Sequence, residues 1–149
     1  IFDVAEGLQS DDLIIKGANA VDADRKEAAI QIGNPTFGTS APMMQAVMGR
    51  RVQLVIPVGL EKRVFGSIAH LSALLASPGA SGPRLLPVTG TIVTELEAVE
   101  LLLGVPAELV AAGGVLGAEG GCWLAVTGTQ QEMKAASEFM LSVMREPRF

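Results

Sequence analysis

Residues 12–40 read DLIIKGANAVDADRKEAAIQIGNPTFGTS, and this stretch decides the fold class. Leu13 to Ile15 and Ala28 to Ile32 are short apolar runs of strand length, each ending in glycine or polar residues, with a charged connection over 22–27 between them. The second run leads through the octet GNPTFGTS, 33–40, into a helix predicted over 41–48. Ser40 is read as its N-cap and Gly49 as its left-handed end. Strand, glycine turn, helix is the unit of an open α/β sheet, whose ligands collect where the strands end.

Working outward, residues 52–58 (VQLVIPV) form the strongest strand, stopped at Pro57. A helix through Ile68, Leu71, Leu74 and Leu75 follows at three- and four-residue spacing. The run SPGASGP, 77–83, opposes both helix and strand and is read as a linker, which places a boundary between lobes at 1–80 and 81–149. The second lobe reads as a strand over 85–89, a helix over 95–103, strands over 107–112 and 122–127 around a glycine loop, and a helix over 130–144. Thr94 with Glu97 and Thr129 with Glu132 have capping-box spacing. The expected fold is therefore α/β: a mostly parallel open sheet with flanking helices, plus a smaller ferredoxin-like βαββα lobe.

Composition narrows the function classes. Apolar residues make up 49% of the chain and charged ones 18%, a balance that suits strands covered on both faces or a subunit contact. Sixteen acidic against 11 basic residues leave no basic footprint, so no nucleic-acid partner is expected. Glu108 and Glu119 interrupt the most apolar region, so no membrane span is predicted. Cys122 stands alone, which excludes an internal disulfide and predicts a reducing, cytoplasmic setting. The chain opens at Ile1 on a polar tail, and a preceding segment is expected.

Three groups are candidates for chemistry. The octet has P-loop spacing, but Thr39 stands where the phosphate-reaching lysine belongs, so a nucleotide-hydrolysing loop is disfavoured. Its remaining reading is an anion site built from Gly33, Asn34, Thr36, Gly38, Thr39 and Ser40, and its plainer alternative is a turn with a serine cap. Lys16 and Asn19, at a strand end, suit either a ligand over the sheet edge or side-chain bonds within their own turn. Glu61 and Lys62 place a carboxylate beside an ammonium, an acid–base pair by one reading and a solvated helix start by the other. His70 and Cys122 have no companion ligands, so no metal and no cofactor are predicted.

The order Lys16-Gly-Ala-Asn19-Ala-Val-Asp22, glycine turn, Val58-Gly-Leu-Glu61-Lys62-Arg-Val64 and Leu86-Pro-Val88 resembles ribose-5-phosphate isomerase A and its superfamily of sugar-phosphate isomerases, deaminases and coenzyme A transferases. The resemblance spans residues 12–88. It implies an α/β fold and a small anionic, phosphorylated metabolite as ligand. Lys16 and Asn19 replace both carboxylates of the isomerase's Asp-Gly-Ala-Asp segment, and no acid occurs from Gly33 to Met44, so isomerase chemistry is not implied with it. The alternative is a non-enzymatic regulatory or oligomeric assembly module, in which the second lobe meets other copies in a homo-oligomer.

Overall fold

The computed structural model describes residues 1–147 of the 149. It is an α/β protein with a three-stranded parallel sheet, flanking helices and small antiparallel sheets. The chain divides into two compact units, Ile1–Thr94 and Glu95–Phe149.

In the first unit, β1 (Leu13–Ile15), β4 (Gln53–Pro57) and β6 (Thr91–Val93) lie parallel in the order β1-β4-β6, with Leu13 opposite Gln53 and Val55 opposite Thr91. β2 (Ala20–Asp22), β3 (Glu27–Ile32) and β5 (Arg84–Val88) form an antiparallel sheet in the order β2-β3-β5. The charged connection of the sequence reading is thus partly strand: Asp22 pairs with Glu27, and the turn occupies only the residues between them. β6 escaped the sequence reading because three residues between glycine and a polar end carry no period.

Met43, Ala46, Leu54, Ile56 and Ile92 share one core, which fixes α1 (Ser40–Met44) and its continuation against the parallel sheet. Met43 and Ile56 are fully buried, and each stabilises the fold by roughly 1.5–3 kcal/mol relative to an exposed side chain. The continuation, Gln45–Gly49, is π-helical. Arg50 secures the N-terminal segment, donating to the carbonyls of Ala5 and Leu8. α2 (Ile68–Leu75) packs on β5, β2 and β3 with Ile68 inward.

Two details of the helix after the octet differ from expectation. The helix begins at Ser40 itself, a residue only 3% exposed, and Thr39 precedes it without a side-chain capping bond. The left-handed residue that turns the chain into β4 is Arg51, at φ 61°, not Gly49. A widened π-helical end moves the reversal two residues on.

Strand β5, read from sequence at the head of the second lobe, pairs along its whole length with β3. The division therefore falls after Thr94, and 77–83 is a loop inside the first unit. The second unit runs α3 (Glu95–Leu103), β7 (Ala107–Ala112), β8 (Cys122–Val126) and α4 (Gln130–Val143), with β7 and β8 antiparallel and shifted in register between Leu109 and Ala111. The glycine loop is the hairpin connection. Gly114 is required there because a Cβ would stand 2.6 Å from the Ala118 carbonyl oxygen. Among the described residues of this unit, only Val99, Val105 and Ala136 are buried hydrophobics.

Candidate functional site

β1 delivers Lys16 to the end of the parallel sheet, where its amide donates to the Val55 carbonyl at 3.0 Å. Asn19 follows at the start of β2. Its amide donates to Ala29 O at 2.8 Å, and its Oδ1 accepts from the Gln31 amide at 2.9 Å. Asn19 therefore joins the exit of β1 to the end of β3, two residues before Gly33. Its side-chain oxygen is engaged in that junction rather than presented to a ligand.

The octet is a closed turn. Asn34 Oδ1 accepts from the Thr36 amide at 2.8 Å and from the Thr36 hydroxyl at 2.7 Å. The Phe37 amide donates to Asn34 O, that of Ser40 to Phe37 O, and that of Ala41 to Gly38 O. Four amides and one hydroxyl that an anion would need are thus bonded within the loop. Ser40 is buried under it. Phe37 and Gly38 both sit in the left-handed region, at φ 68° and 54°. For Gly38 that conformation costs little, whereas for Phe37 it is sterically uncommon and must be held by its surroundings.

Glu61 and Lys62 lie in a single turn, Leu60–Lys62, that follows β4, and they pair at 2.5 Å. The bond from Lys62 holds the Glu61 carboxyl below the usual carboxylate range, so near neutral pH Glu61 is ionised and has no proton to donate. This turn is anchored beside β2, since the Val64 amide donates to Val21 O at 2.9 Å. No hydrogen bond or ion pair among the described residues joins the octet to Lys16, Glu61 or Lys62.

What the octet does build is a cleft of about 190 Å³. Pro35 and Phe37 form one wall, Ile32, Leu85 and Leu86 come from paired strands, and Ala76 comes from the end of α2. Arg84 is its charged lining residue. It stands opposite Ile32 in the β3–β5 register, and its guanidinium has no ion-pair partner among the described residues. Lys16, the cation that the sequence reading places at a strand end, does not line this cleft. Arg84 is the one that pairing supplies. The signal for it was the strand pairing, which a linker reading of 77–83 concealed.

A larger cavity, about 350 Å³, lies at the other end of the same two strands, lined by Lys26, Glu27, Ile68 and Thr89 among others. Glu27 already acts there as an internal anion: one carboxylate oxygen accepts from the Ile68 amide at 3.1 Å, at the first turn of α2. Among the described residues no group of three or more His, Cys, Asp or Glu could hold a metal ion, and no helix is long and apolar enough to cross a membrane. No protein-family model, no curated protein and no solved structure matches the chain.

Proposed function

We propose that the first unit binds a small organic anion at the cleft between the octet and β5, with its phosphate or carboxylate on Arg84 and its body against Phe37, Leu85 and Leu86. The observation that carries this reading is Arg84, which lines a cleft whose other named walls are apolar, and whose guanidinium has no ion-pair partner among the described residues. A guanidinium offers a planar fork of donors that matches both kinds of anion, and the apolar walls supply a sequestered place for the rest of the ligand. The rigid octet contributes shape, with Phe37 as a wall, rather than amides. The reading is one of binding: Lys16 and Asn19 are not carboxylates, and Glu61 is ionised and bonded to Lys62.

Thermal unfolding of the whole chain against inorganic phosphate, benzoate, phenyl phosphate and ribose 5-phosphate tests it. A compound present at about 100 times its dissociation constant adds about 2.7 kcal/mol, a rise of several degrees in a unit of this size. The expected result is such a rise for at least one organic anion and its loss in Arg84→Gln. Absence of any rise in the parent, or an equal rise in the variant, overturns the reading.

A further inference from the structure

The lining of the cleft between the octet and β5 restricts the body of any anion that Arg84 takes there. Among the described residues, every lining side chain other than Arg84 is hydrocarbon, from Ile32 and Pro35 to Leu85 and Leu86. Backbone donors are equally scarce. Pro35 has no amide hydrogen, the Phe37 amide donates to Asn34 O, and the Ala76 amide donates to Ser72 O and Ala73 O. Polar side chains line the larger cavity instead, where Lys26, Glu27 and Thr89 are found. A polyhydroxylated ligand in the smaller cleft would exchange water for hydrocarbon at its hydroxyls, and each hydrogen bond lost in that way opposes binding.

Size and shape point to a ring. A cavity of about 150 Å³ accommodates one benzene molecule, and this cleft measures about 190 Å³. One six-membered ring therefore occupies most of it. Phe37 is the aromatic wall, 43% exposed and held at φ 68° by bonds on both sides, its amide on Asn34 O and its carbonyl on the Ser40 amide. Phenylalanine adopts that left-handed conformation at a cost that glycine or asparagine largely avoids, and such strain gathers at ligand clamps. A ring fixed beforehand offers an aromatic ligand an offset-stacked or edge-on contact beyond the area it covers.

Charge points to the acid group. Arg84 is the only cation lining the cleft among the described residues. Its planar fork matches the two oxygens and single charge of a carboxylate, whereas a phosphomonoester brings a third oxygen and most of a second charge. The octet amides of Thr36, Phe37, Ser40 and Ala41, which could have met that oxygen, are bonded within the loop.

We infer, building on the anion-binding reading of this same cleft, that its ligand is a single-ring aromatic carboxylate, with the carboxylate on Arg84 and the ring against Phe37 and Leu86. Sugar phosphates, which the resemblance to isomerases implies, are disfavoured on both body and charge.

Isothermal titration calorimetry of the whole chain with benzoate, benzyl alcohol, phenyl phosphate and ribose 5-phosphate tests this. Benzoate should bind more tightly than phenyl phosphate, and at least tenfold more tightly than ribose 5-phosphate or benzyl alcohol. Its binding should weaken at least tenfold in Arg84→Gln, in Phe37→Gly and in Phe37→Asn. Glycine and asparagine both tolerate the left-handed region, so the two Phe37 variants should keep the parent's circular dichroism. Ribose 5-phosphate or phenyl phosphate binding at least as tightly as benzoate, and lost in Arg84→Gln, would overturn the aromatic carboxylate and leave the anion site standing. So would benzoate binding that Arg84→Gln weakens and both Phe37 variants retain. Benzyl alcohol binding as tightly as benzoate, benzoate binding unchanged in Arg84→Gln, or no binding by any of the four compounds would overturn both.

Discussion

Asn19 Oδ1 accepts a hydrogen bond at 2.9 Å from the backbone amide of Gln31, twelve residues away, while the Asn19 amide donates to Ala29. One residue thus fixes the crossing from the parallel sheet, which β1 leaves, to the antiparallel sheet, which β2 and β3 build. Asn19→Ala removes the acceptor but leaves the Gln31 amide near solvent, so the loss is that of an ordinary hydrogen bond, about 1 kcal/mol. Asn19→Asp keeps the acceptor oxygen and should recover most of it. Urea denaturation of the three proteins decides the matter, since a ligand-binding role without a structural one predicts no difference in the absence of ligand.

Asp22 governs the next turn in a different way. Its buried carboxylate accepts from the Arg25 amide at 3.1 Å and from the Arg25 guanidinium at 2.7 Å, and these bonds hold its pKa below the ordinary 3.8. A carboxyl whose pKa is lowered on folding contributes stability that is present above its unfolded pKa and is lost as pH falls through the folded value. Stability should therefore decline below about pH 4, and Asp22→Asn should flatten that decline while lowering stability at pH 7. The Arg25 side chain is 58% exposed, so screening by solvent keeps the contribution modest. Denaturation midpoints between pH 3 and pH 7 measure both effects, and parallel pH curves for parent and variant would refute the assignment.

The capping box at α4 is the best-defined local feature of the second unit. Thr129 accepts from the Glu132 amide, and the Glu132 carboxylate accepts from the Thr129 amide at 2.6 Å and its hydroxyl at 2.8 Å. Thr129→Ala should cost about 1 kcal/mol, with Thr129→Ser close to the parent. Trp123 is the single tryptophan and lies in this unit, so its fluorescence during denaturation reports the loss. The bonds from Thr129 lower the Glu132 pKa, so the box is intact above the usual carboxylate range and weakens as pH falls through the lowered value.

These elements also show what the sequence could reveal. The Thr129–Glu132 spacing is local, and a local pattern specifies a local structure, so α4 and the hairpin around the glycine loop were legible. β5 was not assigned to its sheet, because Arg84 to Val88 reads the same whether it starts a new lobe or closes an old one, and only its long-range pairing with β3 decides. Arg84 was missed for that reason. The octet was legible as a turn between strand and helix, but its use of its own amides depends on Asn34 accepting twice from Thr36, a choice between two readings equally open to the sequence.

Two glycines near strand ends separate a backbone constraint from a side-chain one. Gly90 precedes β6 and passes close to β4: a Cβ there would stand 2.5 Å from the Leu54 carbonyl oxygen and 3.1 Å from Leu54 Cβ and Cγ. A sheet carbonyl can move only with its strand, and Leu54 belongs to the central strand of the parallel sheet. Gly90→Ala should therefore destabilise by about 1–3 kcal/mol, the cost of overpacking against a fixed neighbour. Gly59 follows β4 in an extended conformation open to alanine, φ −71° and ψ 145°, and the three atoms nearest its added Cβ all belong to the carboxylate of Glu61. That side chain can rotate away, giving up its half-exposed pair with Lys62, which is worth at most about 1 kcal/mol. Gly59→Ala should accordingly be tolerated. Thermal midpoints of the two alanine variants give the comparison, and a Gly90→Ala protein as stable as the parent would mean that the approach of the β5–β6 connection to Leu54 is not a fixed feature of the fold.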